Sequence, residues 1–298
     1  MTGRAGGGPA VVDTPIAVGA VDHKALFCRT LLETFEPYEP AQIAWPELDD
    51  DARQRLVGLP IWDIAVDTEE RASVNVLGYA EMIGDPLVKQ ATELNGFEEA
   101  RHKRVLAGLI AAYAINLPPA QPYRKPRAAE WAFMVTGYSE CIDSFFAFGL
   151  FEVAKRSGYF PGALVDIFEP IMQEECRHIL FFVNWAAWHR RTMSWWRRRL
   201  FAAKVLGVWG FLLWERIKTA RAVNGGNNFT ATGHASFNVD LGPAALLDVC
   251  LVENARRMAR YDHRLLRPAL APTLARIARD LLRLSARLAR RVSRRARQ

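Results

Sequence analysis

One five-residue phrase occurs twice in this chain. Residues 98–102 read Glu98-Glu99-Ala100-Arg101-His102, and residues 174–178 read Glu174-Glu175-Cys176-Arg177-His178. Each is a Glu-Glu-x-Arg-His string, and the second begins 76 residues after the first. On a helix, positions three apart project from one face. Glu99 with His102, and Glu175 with His178, can therefore each aim a carboxylate and an imidazole at one point. Two such helices facing each other would supply most of the ligand shell of a two-metal site in a four-helix bundle.

Such a site needs two further ligands, one from each remaining helix. Carboxylates are expected, because iron and manganese favour oxygen donors with imidazole filling in. Antiparallel hairpins say where to look, since ligands at one height lie equally far from the connecting turn. The first turn centres near Gly84-Asp85, and Glu99 lies 14 residues beyond Asp85. Reflection lands on residues 69–71, where Glu69 and Glu70 stand. Glu69 shares a stripe with Ala72, Val76, Ala80 and Ile83, whereas Glu70 runs with Ser73, Leu77 and Glu81. The apolar stripe favours Glu69 as the inward residue. The second turn centres near Gly158, and reflection of Glu175 lands beside Glu140. An isolated carboxylate there would cost several kcal/mol to desolvate. Metal ions would offset that cost, and so would pairing with Arg101 or Arg177.

The remaining chain reads as helices and breakers. Residues 1–20 look like a flexible arm, and 21–64 like short wrapping helices, with Asp49-Asp50-Asp51 opening a capped short helix through Leu56. The bundle spans 65–191. Its helices are expected at Asp67–Ile83, capped by Asp67 or Thr68, then Pro86–Ile115, Ala128–Lys155 and Ala163–Arg191, the last kinked at Pro170. Residues 192–298 form a helical extension: an apolar helix at Leu200–Trp214, a loop at Asn224–Gly233, a helix at Pro243–Leu266 and a basic amphipathic helix from Thr273. The 15 residues of Leu200–Trp214 are short for a span, which needs about 20, so a docking helix is favoured over an interfacial one. Residues 276–298 carry nine Arg and one Asp, which accounts for much of the net charge of +7. Four scattered cysteines without a Cys-x-x-Cys pair argue against a zinc ribbon and suit a reducing cytosol. No apolar stretch of signal-peptide type is seen near the N-terminus.

The paired strings, each with one Glu about 30–35 residues upstream, resemble the ferritin-like di-iron carboxylate superfamily. Rubrerythrins, bacterioferritins and demethoxyubiquinone hydroxylases share that arrangement. The resemblance covers residues 65–191. It implies an all-α fold built on an antiparallel four-helix bundle of two hairpins, with extra helices at both ends. It implies Glu69, Glu99, His102, Glu140, Glu175 and His178 as ligands of two iron ions, or of a manganese–iron pair, with Glu99 and Glu175 bridging. Arg101, Arg177 and Asp143 are expected as supporting partners just outside the ligands. Glu98 and Glu174 are expected on the solvent side or paired with the arginines.

The activity that follows is an oxidoreductase using dioxygen or peroxide on a substrate the sequence does not name. The absence of a cysteine-rich electron-transfer module favours an oxygenase over a peroxidase. Two other readings stay open: iron storage or sequestration without turnover, and a metal-free helical interaction protein. The expected partners are a small, apolar substrate, O₂ and a reductant. A nucleic acid is not favoured; peripheral membrane contact through 195–214 and the basic C-terminus, and a homodimer, stay open. The expected location is the cytoplasm, with membrane association through those same segments left open.

Overall fold

A computed structural model of the chain describes residues 15–119, 122–222 and 241–295. Most of the expected arm, and the expected loop at 224–233, lie outside them. Among the described residues the chain is all-helical, without strands. The helices are α1 (Val21–Glu33), α2 (Asp50–Val57), α3 (Trp62–Ala80), α4 (Pro86–Ala112), α5 (Ala129–Ser157), α6 (Gly162–Asp166), α7 (Glu169–Thr192), α8 (Trp195–Ala222), α9 (Pro243–Met258) and α10 (Leu270–Arg295). A short 3₁₀ turn covers Pro40–Gln42.

Local chemistry sets several ends. The Asp49 carboxylate accepts from the Ala52 amide and opens α2. Asp85 accepts from the Leu87 and Val88 amides, with Pro86 in the first turn, and opens α4. Both are N-cap interactions that satisfy otherwise orphaned donors. Gly158 ends α5 in the left-handed conformation, at φ +63°, where a side chain would be strained.

Four expected boundaries move. The helix expected at Pro243–Leu266 ends at Met258, and the Asn184 side chain of α7 takes up both the amide and the carbonyl of Leu266. Helix α3 starts at Trp62, so Asp67 and Thr68 lie inside it rather than capping it. The cause is Trp62 itself: the indole is buried and donates to the Leu56 carbonyl, which anchors the first turn. Pro170 does not kink a long helix. The chain breaks after Asp166 and restarts at Glu169, with Pro170 in the first turn of α7, where its missing N–H costs nothing. The expected Leu200–Trp214 helix is the middle of a longer one. It docks through Phe201, Val208 and Leu212, which share one face and are buried.

Helices α3 and α4 pack as one hairpin, and α5 with α7 as another. Contacts of α3 with α5 and of α4 with α7 close these four into a ring. Helix α1 lies over the seam between α4 and α7, and α9 lies on α5. Two apolar clusters fill the interior. One contains Val76, Ala91, Phe133, Phe182 and Trp185; the other contains Trp62, Leu106, Leu109, Phe145 and Phe160. On α4, residues 98–102 fall between Ala91 of one cluster and Leu106 of the other, so a polar belt separates two apolar ends. Above the belt, Phe133 stacks on Tyr79 at 4.6 Å and meets Trp185 edge-on at 4.7 Å.

The α5–α9 contact depends on the absence of a side chain at Gly149. A Cβ there would stand 2.3 Å from Cys250 Sγ and 2.9 Å from its Cα. Backbone cannot yield as a flexible side-chain tip can, so Gly149→Ala must push α9 away. We expect a loss of about 1–3 kcal/mol in urea unfolding, as for other overpacked cores.

Candidate metal centre

Both Glu-Glu-x-Arg-His strings are buried along their whole polar length. Glu98, Glu99, Arg101 and His102 on α4 are closed off, as are Glu174, Glu175, Arg177 and His178 on α7. The first glutamate of each string crosses to the other helix. Glu174 accepts from His102 Nε2 at 2.8 Å and from Arg101 at 2.7 Å. Glu98 accepts from His178 Nε2 at 2.7 Å and from Arg177 at 2.6 Å. The repeat in the sequence thus becomes a reciprocal lock in space.

Helix α1 and the segment after it cover this lock. Arg177 donates to the Leu31 carbonyl and Arg101 to the Glu36 carbonyl, each at 3.1 Å. The Arg101 guanidinium lies 3.9 Å from the centroid of the Tyr38 ring and faces Phe35 and Phe97, a favourable cation–π cage. The Tyr38 hydroxyl also points at Glu174, at 3.4 Å. Sequence reasoning left Glu98 and Glu174 facing solvent or paired with arginine. The arginine pairing is present; the solvent side is not, because α1 roofs the seam.

The lock decides which histidine nitrogen is free. A carboxylate only accepts, so Nε2 of each ring carries the proton. Nδ1 of both rings is left facing the interior. His102 Nδ1 lies 3.2 Å from Glu175, 3.5 Å from Glu69 and 3.9 Å from Glu99. His178 Nδ1 lies 2.7 Å from Glu99 Oε1. Yet both Nδ1 atoms, with Oε1 of Glu99 and Oε1 of Glu140, are buried and make no aligned hydrogen bond among the described residues. Glu69, Glu99, His102 and Glu175 each offer a donor atom, and those four atoms lie within 4.8 Å of one another. The neighbouring Glu70 turns instead to Lys103, at 3.0 Å. Ser144 donates to the second oxygen of Glu175 at 3.2 Å.

Crowding of acids shows in their proton affinities. Burial pushes Glu69 up to about 8, with Glu99 and Glu175 adding to the shift against His102. Burial, then the Glu99 and Glu175 carboxylates, holds Glu140 well above the usual range. Burial also works to raise Glu175, but His102, His178 and Ser144 hold it below its ordinary value. For His102, burial opposes the charged ring, and the Glu174, Glu175 and Glu69 carboxylates outweigh it. His178 follows the same pattern, with Glu99 and Glu98 as the acids.

Glu140 and His178 lie outside the four-donor group of Glu69, Glu99, His102 and Glu175, though His178 meets Glu99, and the Glu99 and Glu175 charges bear on Glu140. Carboxylates and imidazole nitrogens gathered without aligned hydrogen-bond partners are a donor set of the kind divalent cations take.

Asp143 does not join the cluster. It accepts from Ser139 at 2.7 Å and from Arg216 of α8 at 2.6 Å, so it ties α5 to α8. Tyr138 packs against Phe182 and Trp209 as core. The residues that sequence reasoning underused are Glu98, Glu174, Tyr38 and Ser144. For the two glutamates a signal was present: a residue needed only for solubility need not recur at the same place in both strings.

The chain matches no protein-family model, no curated protein and no solved structure.

Proposed function

We propose that this chain is a di-iron carboxylate oxidoreductase with a ferritin-like four-helix core formed by α3, α4, α5 and α7. The observation that carries the reading is the pair of histidines held through Nε2, with Nδ1 of each turned toward buried carboxylates that lack aligned partners. Glu69, Glu99, His102 and Glu175 would hold one ion, and Glu140, His178 and the shared Glu99 and Glu175 the other. When bound, the iron pair supplies redox chemistry toward dioxygen or peroxide, at the expense of an oxidisable substrate.

The chain's own residues do the rest. Glu98 and Glu174 keep the ring protons on Nε2 and fix the ring planes. Arg101 and Arg177 hold those glutamates in place, and α1 holds the arginines. The apolar clusters on either side exclude water, which strengthens every charge interaction between them. Glu69 keeps a fifth of its side-chain surface exposed, more than Glu99, Glu175 or either histidine.

Anaerobic loading with ferrous iron followed by air tests the reading. Ferrous iron should be oxidised in proportion to two ions per chain, with near-ultraviolet iron(III) absorption appearing. Uptake far beyond two per chain would favour storage instead. Failure to retain iron would leave the metal-free reading.

A further inference from the structure

Helix α10 turns an apolar stripe away from the protein. Leu270, Leu274, Ile277, Leu281, Leu284 and Leu288 recur every three or four residues and so share one face. Their exposure runs from 47% to 62%, far above that of residues facing a core. The helix is held by its other sides. Ala275 is buried against the body, and Asp248 of α9 accepts from Arg279 and Arg283. These contacts fix the stripe outward.

We propose that α10 seats this protein on the surface of an anionic phospholipid membrane. The stripe enters the boundary between headgroups and acyl chains, and the arginines engage lipid phosphates. A strongly amphipathic helix with a leucine face and an arginine-rich polar face is the form such anchors take. The nine arginines and single Asp of residues 276–298 set the sign of the partner. Arginines on the far side still contribute, because a helix is about 10 Å across and the screening length at physiological salt is about 8 Å. The contact is peripheral: among the described residues no helix is long and apolar enough to cross a membrane. Helix α8 adds three exposed tryptophans, Trp195, Trp196 and Trp214, and Arg199 and Lys218 lie over two of those rings. Tryptophan beside basic residues suits a headgroup layer.

A second copy of the chain is the competing occupant, since the same spacing would serve a coiled-coil seam. Charge disfavours it. The positions flanking the stripe are Ala271, Ala278 and Ser285 on one side and Thr273, Asp280 and Arg287 on the other. These flanks carry one acid and one arginine and are otherwise small or neutral, so they offer no row of complementary charges to a second copy. A phosphate-rich surface neutralises the positive charge of the helix.

Vesicle co-sedimentation of the full chain tests this. The protein should sediment with vesicles of phosphatidylcholine mixed with phosphatidylglycerol, and not with phosphatidylcholine alone. Salt at about 1 M, where the screening length is about 3 Å, should weaken the binding. Ile277→Ser/Leu281→Ser/Leu284→Ser keeps every charge and changes only exposed positions. It should bind at least about tenfold more weakly. The proposal is overturned if the anionic vesicles leave the protein in solution, or if the triple variant binds them as well as the parent. It is also overturned if the parent is a lipid-free dimer that the triple variant turns into a monomer.

Discussion

Replacing Glu98 with alanine should destabilise the protein by about 3–5 kcal/mol, the range for removing one partner of a buried ion pair. Arg177 and His178 both lean on Glu98, and both are buried. Without the carboxylate, the guanidinium keeps only the Leu31 carbonyl and a longer 3.8 Å approach to Glu174. The His178 Nε2 proton loses its acceptor altogether. Glu174→Ala should act alike through Arg101 and His102. The two changes should not be additive, because Arg101 also lies 3.4 Å from Glu98 and the groups form one network. Urea unfolding of metal-free protein measures this, with Glu70→Ala as the comparison. Among the described residues Glu70 pairs with the partly exposed Lys103, and such a pair is worth about 0–1 kcal/mol. If Glu98→Ala unfolds as Glu70→Ala does, the reciprocal lock contributes nothing to the fold.

The second large effect concerns metal. Glu99→Gln/Glu175→Gln keeps side-chain volume but removes the carboxylate that approaches both histidines and the one that lies 3.2 Å from His102. Iron affinity should fall by more than about 100-fold, since disturbing even an outer partner of a ligand costs about 10–100-fold. Stability gives a second readout. Metal that binds only the folded chain should stabilise the parent by about 4 kcal/mol when free metal exceeds Kd about 1,000-fold. Melting of the double variant should not respond to the same addition. The two predictions separate the two layers: Glu98 affects folding without metal, and Glu99 with Glu175 affects what metal does.

Much of the site was readable because helices translate spacing into direction. Position i+3 put each histidine on the same helix face as its glutamate, although in space His102 lies closer to Glu175 than to Glu99, and His178 meets Glu99. Reflection through each turn picked out Glu140 and the Glu69–Glu70 pair, and the apolar stripe singled out Glu69; the structure turns Glu69 toward His102 and Glu70 toward Lys103. The all-helical class followed from the same periodicity.

What stayed hidden depends on neighbours distant in sequence. Whether Glu98 and Glu174 meet solvent or the opposite helix is set by α1, which no spacing within α4 or α7 reports. Asp143 lies one turn from Glu140, and only the placement of Arg216 on α8 shows that it faces elsewhere. The start of α3 was misplaced because Asp67 and Thr68 carry good capping chemistry, while a buried indole five residues earlier wins the first turn. Pro170 was ambiguous locally: proline bends a helix or begins one, and the preceding turn decided for the second.

Metal content per chain is the most direct test of the central claim. Parent protein loaded with ferrous iron, freed of excess and analysed for metal should hold two ions per chain, and Glu99→Gln/Glu175→Gln should hold none. A parent chain that retains no iron, or a double variant that still retains two ions, would contradict the assignment of this cluster as a di-metal centre.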